Sequence, residues 1–72
     1  MPKLPRITGK RLVRILVDYG FVIARIKGSH YRMRHQDGRV TTIPVHAGET
    51  LGPGLLRQIL RDTQLQINDL TN

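Results

Sequence analysis

The chain has no cysteine and no tryptophan, only three aromatic residues, and only five acidic residues among its 72. Without cysteine there is no disulfide staple, no thiolate metal ligand and no thiol nucleophile. Tyr19, Phe21 and Tyr31 are too few for an aromatic base-stacking platform, so a nucleic-acid interface would rest on backbone or shape. The longest apolar run is the four residues Phe21 to Ala24, far short of the ~18 that a membrane helix needs. The start, Met1-Pro2-Lys3-Leu4-Pro5-Arg6, is basic but lacks the apolar stretch of a secretory signal, so a cytoplasmic protein away from membranes is expected. A composition of 39% apolar and 24% charged residues is that of a folded domain and not of a disordered chain. The length fits one domain over residues 1–72, whose folding hides about 60% of the chain's surface. A deep, closed active site does not fit in such a domain.

Charge is what the sequence has in abundance. Twelve Lys and Arg against five Asp and Glu give +7, and the excess is lopsided. Residues 1–39 carry ten basic and two acidic side chains, a net +8, and residues 40–72 carry two and three, a net −1. A one-sided basic domain attracts polyanions: nucleic acid, an anionic membrane surface or an acidic protein.

Thr8 is a helix N-cap, Leu12, Val13, Leu16 and Tyr19 recur at three- and four-residue spacing, and Gly20 supplies the stop. Lys10, Arg11 and Arg14 fall on the helix's outer side, as a solvated face that can extend a phosphate-contact surface. Phe21 to Lys27 reads as a strand, and Gly28-Ser29 as a two-residue hairpin turn with its glycine at positive φ. That turn sets Lys27 across from His30 and Arg25 across from Arg32. Counting back along an unbroken ladder pairs Ile26 with Tyr31, Ala24 with Met33 and Val22 with His35. At Asp37-Gly38 a three-residue loop with a bulge is expected, because it keeps Tyr31 and Met33 on one face with Ile43 and Val45. The other face then carries Arg25, Lys27, His30, Arg32 and Arg34, joined by Thr42, Pro44 and His46. Pro44 makes the third strand an edge. Pro53 suits a first helical position, Leu56, Ile59, Leu60 and Thr63 form a second helical stripe, and Gln64 to Leu70 either continue that helix or make a short further turn. The expected class is α+β, ordered α-β-β-β-α, with both helices on one face of a three-stranded antiparallel sheet.

His30 stands at the rim of the basic face. An imidazole gives or takes a proton near neutrality, and beside cations that hold phosphate it suits RNA cleavage without a metal. In that chemistry a base removes the ribose 2′-OH proton, the oxygen attacks the adjacent phosphorus, and cations stabilise the developing negative charge. RNA supplies the nucleophile, so none is required of the protein. His46, at the same end of the sheet, is the first candidate for the second proton transfer, with Lys27 and Tyr31 behind it. His35 falls on the opposite face at the far end of its strand, and no acid stands near His30 or His46, so neither a metal nor a cofactor is expected. Ser29 has no acid with which to complete a hydrolytic triad.

Several stretches together resemble the HicA toxins of bacterial toxin-antitoxin systems. They are Gly9-Lys10 through Gly20-Phe21, Lys27-Gly28-Ser29-His30-Tyr31, Asp37-Gly38, Ile43-Pro44-Val45-His46, and Leu51-Gly52-Pro53-Gly54 with Leu56-Arg57-Gln58-Ile59-Leu60. The resemblance covers about residues 2–65. It implies a fold like the double-stranded-RNA-binding domain, activity as an mRNA interferase that cleaves RNA and arrests growth, His30 as the catalytic histidine of the Gly-Ser-His motif, and a HicB-like antitoxin that covers His30. The chain departs from the family pattern at Tyr31, where many members have a second histidine, and at Gln64, where a helix-ending glycine is usual.

The leading expectation is therefore an endoribonuclease toxin with RNA and antitoxin as partners, with Arg25, Lys27, Arg32 and Arg34, and secondarily Lys10 and Arg11, on the RNA. A non-catalytic double-stranded-RNA-binding module is the alternative, since recognition of A-form shape has no use for a titrating rim histidine. A third reading is an interaction protein whose basic face serves only an acidic partner.

Overall fold

A computed structural model describes residues 3–71. Its first helix, α1, runs Gly9–Asp18 and begins as its sequence directs: the Thr8 hydroxyl accepts the Arg11 N–H at 3.2 Å, satisfying one of the donors that a helix start leaves free. Leu12, Val13 and Leu16 are buried along one stripe. Tyr19, expected to extend that stripe, is instead the exposed C-cap, and its hydroxyl donates to Asp69 at 3.2 Å. The sheet follows as β1 (Phe21–Lys27), β2 (His30–His35) and β3 (Val40–Pro44), antiparallel in the order β1-β2-β3, so Pro44 does lie on an edge strand. Helix α2 (Pro53–Thr63) and the short α3 (Ile67–Thr71) complete an α+β fold, with α1 packed on all three strands and α2 on β3. Among the described residues no helix is long and apolar enough to cross a membrane.

The core gathers Leu12, Leu16, Phe21, Met33, Ile43, Leu56 and Ile59 between helices and sheet. Each such side chain contributes on the order of 1.5–3 kcal/mol by leaving water. Two contacts fix how the layers meet. The Gly9 Cα abuts the carbonyl of Pro44, so that a Cβ at position 9 would overlap the carbonyl oxygen. Leu51 N–H donates to the Ile7 carbonyl at 2.8 Å beside a Thr8–Thr50 bridge, tying the loop after β3 to the start of α1.

The first hairpin follows the sequence at its tip and departs from it farther along. Gly28 has φ +59, Lys27 pairs with His30, Ile26 with Tyr31, and Arg25 with Arg32. Beyond Arg25 the register shifts: Met33 pairs with Ile23 and not Ala24, Arg34 with Val22, and His35 with Phe21. The expected Ala24–Met33 and Val22–His35 pairs are thus replaced by a β-bulge at Ala24. Phe21 and Ile26 are five residues apart, so an unbroken strand cannot put both on the helix-covered face, where Phe21 is buried and Ile26 stays 52% exposed. One extra residue reconciles them, and Phe21 gains burial to 2% exposure. Val22 goes outward as a result, 55% exposed.

The second hairpin has the expected three-residue loop. Gly38 N–H donates to the His35 carbonyl at 3.0 Å, His35 N–H donates to the Arg39 carbonyl at 2.8 Å, and Gly38 takes φ +102. Tyr31 faces Ile43 and Met33 faces Thr41 across the ladder, with Met33, Thr41 and Ile43 buried. At the end of α2, Gln64 adopts the left-handed conformation with φ 59, so the helix stops at Thr63 even without the glycine usual there. The residues after it form α3, whose Leu70 is buried, and the Asp69 carboxylate accepts the Gln66 N–H at 2.7 Å.

Candidate functional site

The solvent-facing side of the sheet is set by strand alternation. Along β2 the exposed residues are His30, Arg32 and Arg34, with Met33 beneath. The antiparallel partners bring Lys27 opposite His30 and Arg25 opposite Arg32, and on the other side Pro44 opposite His30 and Thr42 opposite Arg32. Arg25, Lys27, His30, Arg32 and Thr42 line a shallow open depression of about 180 Å³. Arg34 lies on the same face one row farther along, opposite Val22 and Val40.

This cluster is electrostatically unbalanced. Arg25 and Arg32 are directly opposed, and like charges so placed on a ladder cost on the order of 0.2–1 kcal/mol. Among the described residues no carboxylate lines the depression. Within it the Arg32 guanidinium makes a long contact of 3.5 Å with the Thr42 hydroxyl. Three of the five acidic groups are engaged elsewhere: Asp37 with Arg39, Asp62 with Thr41 and Gln58, and Asp69 with Tyr19. Against the expectation that no acid is near His46, Glu49 follows it in a turn closed by the Glu49 N–H donating to the His46 carbonyl at 3.1 Å. An exposed imidazole ringed by Arg25, Lys27 and Arg32 has the charge to attract an anion and a group that can move a proton beside it.

The other residues singled out in the sequence are placed as follows. His46 comes after β3 at the His30 end, where Val45 N–H donates to the Ser29 carbonyl at 2.7 Å; it is exposed and does not line the depression. Tyr31 is on the opposite face, half-buried against the core. Lys10 and Arg11 line a separate depression on α1 with Thr8, Arg14, Ile15 and Asp18. His35 is at the far end of β2, its ring 5.1 Å from that of Phe21 in an edge-on arrangement and its Nδ1 3.1 Å from Asp37 Oδ1.

Sequence reasoning assigned no role to Arg39, which organises that far end. Its guanidinium pairs with Asp37 at 2.9 Å, lies 5.1 Å above the Phe21 ring and donates to the carbonyl of Thr63 at the end of α2. Arg39 holds the Asp37 carboxyl below its ordinary range, first through the side-chain hydrogen bond and then through its backbone N–H. The signal for this was present: an Asp-Gly-Arg turn sets a carboxylate beside the arginine two residues on. Tyr19 carries the opposite shift, its hydroxyl raised above the usual value by desolvation and by the neighbouring Asp69.

No curated protein matches the chain. Residues 9–65 match the family described as the HicA toxin of bacterial toxin-antitoxin systems, a span that runs from the first residue of α1 past the end of α2 and includes every residue of the depression around His30. The chain belongs to the HicA toxin family.

Proposed function

We propose that the protein is an endoribonuclease, an mRNA interferase that cleaves RNA without a metal and is held inactive by a HicB-like antitoxin covering His30. The observation that carries this reading is an exposed histidine in a depression lined by three cations and no carboxylate. Such a site is built for a phosphodiester. His30 takes the proton of the 2′-OH, the 2′ oxygen forms a bond to phosphorus, and the bond from phosphorus to the 5′ oxygen breaks. A cyclic 2′,3′-phosphate is left on one product and a 5′-hydroxyl on the other. Arg25 and Arg32 hold the non-bridging oxygens while charge builds on them. The leaving 5′ oxygen receives its proton from Lys27, the cation directly across from His30; His46, at the same end, is the alternative donor.

Family membership supports the antitoxin half of the reading, and the unpaired cationic face supports an acidic partner surface. The test compares the wild-type chain and His30→Ala on RNA in EDTA. Cleavage by the wild type alone, with cyclic-phosphate ends, is the expected result. Equal cleavage by both ends the role of His30, and activity lost on chelation returns a metal to the mechanism. Tight, salt-sensitive duplex binding without scission by either chain would favour a plain RNA-binding module.

A further inference from the structure

The open face of the sheet has three rows of side chains running across its strands. Lys27, His30 and Pro44 make the first, Arg25, Arg32 and Thr42 the second, and Val22, Arg34 and Val40 the third. The first two rows are polar or cationic apart from Pro44. In the third, an exposed arginine is flanked on both sides by valines, Val22 55% and Val40 38% exposed. Val22 is there because the bulge at Ala24 turned it outward.

We infer that Val22, Arg34 and Val40 seat one unpaired nucleobase of the strand whose phosphate lies at His30, so that the substrate is single-stranded RNA. This rests on the RNA-cleaving reading above. Phosphate is bound by charge and hydrogen bonds alone, and valine methyls add nothing to it. A nucleobase has a flat apolar face that methyls contact and a guanidinium plane covers. A face meant only for a duplex backbone would continue the cationic pattern of its first two rows. In a duplex, moreover, the faces of the bases are stacked out of reach. The third row is four residues along β2 from the first, about 13 Å at the usual strand rise, so the seated base belongs to a nucleotide near the scissile phosphate and not at it. Arginine between aliphatic side chains here does what an aromatic platform does elsewhere.

The test measures binding of His30→Ala, which leaves RNA intact, to a short single-stranded RNA carrying one abasic nucleotide at each position in turn. Loss of the seated base is expected to weaken binding roughly 5- to 150-fold at one position near the cleavage site and little elsewhere. Adding Val22→Ser with Val40→Ser, or separately Arg34→Gln, is expected to flatten that profile, while annealing the complementary strand weakens binding to the parent chain. A flat profile on the parent chain, with RNA still bound and still cut by the wild type, overturns the base seat and leaves the nuclease reading intact. Duplex bound as tightly as single strand also overturns it. A chain that neither binds nor cuts RNA overturns both. A position-specific loss that persists in both the valine and the arginine variants puts the base elsewhere and overturns this site.

Discussion

The two hairpins carry similar residues to opposite ends. At the tip of the first, Lys27 faces His30, and Arg25 faces Arg32 one step back, with no carboxylate in the depression they line. In the second, a histidine and an arginine also stand close together, but Asp37 lies between them: His35 is 3.1 Å from it on one side and Arg39 2.9 Å on the other. Arg39 further covers Phe21 and caps α2 at Thr63. One aspartate, accepting from Arg39 through its carboxylate and donating its N–H to His35 Nδ1 at 3.2 Å, turns cation and imidazole into a fastener that joins hairpin, core aromatic and helix end. Where it is missing, the same groups stay available to an outside anion. Removing a group from the first hairpin should therefore change activity and leave folding alone, and removing one from the second should do the reverse.

The largest effect is expected at His30. His30→Ala should lower RNA cleavage by roughly 10²- to 10⁴-fold, the usual worth of a positioned proton-transfer group. Its urea midpoint should stay close to that of the wild type, because His30 is exposed and takes no part in the core. A large drop in midpoint would mean that the first hairpin tip is a structural device like the second.

Much of this contrast was legible in the sequence. Gly28-Ser29 fixes the pairing of Lys27 with His30 and of Arg25 with Arg32, so the centre of the candidate site follows from one turn. Likewise the three-residue loop at Asp37-Gly38 follows from the parity that places Met33 and Ile43 together in the core. The bulge at Ala24 did not follow from local pattern. Phe-Val-Ile-Ala-Arg-Ile-Lys has no alternation to count, and the register is decided by the burial of Phe21 beneath α1 and Arg39, contacts far apart in sequence. Tyr19 shows the converse: its helical spacing continues the stripe, but the core ends before it, and only α3 brings Asp69 to its hydroxyl. Carrying the ladder count past Pro44 puts His46 on the basic face, but β3 ends there and His46 does not line the depression.

Next in size is Arg39. Arg39→Ala removes the hydrogen bond to a backbone carbonyl, the contact over Phe21 and the Asp37 pair at a side chain only 24% exposed. A loss of about 2 kcal/mol is expected from urea unfolding, with cleavage per folded molecule unchanged. A fall in cleavage at constant stability would place Arg39 in the RNA site and erase the distinction between the hairpins. A smaller change of opposite sign is expected one residue beyond the carbonyl that Arg39 caps. Gln64→Gly relieves a left-handed residue and should stabilise the fold by about 1 kcal/mol. An unchanged or lowered midpoint would show that Gln64 holds its conformation without strain.

The smallest effect is the one that isolates the carboxylate. Asp37 is held below its ordinary 3.8 by the Arg39 side chain first, then by the Arg39 backbone N–H, with His35 adding to the same direction. A carboxyl whose folded pKa is depressed stabilises the fold at every pH above its unfolded value. That contribution is lost as the pH falls from about 3.8 through the lower folded value. Asp37→Asn keeps an oxygen that accepts the Arg39 N–H but loses the charge. The wild type should therefore have the higher urea midpoint at pH 7, and the gap should close as the medium is taken toward pH 3 and below. A gap of constant size across that range would mean that Asp37 serves the turn by shape alone, and that the two hairpins are separated by packing and not by one negative charge.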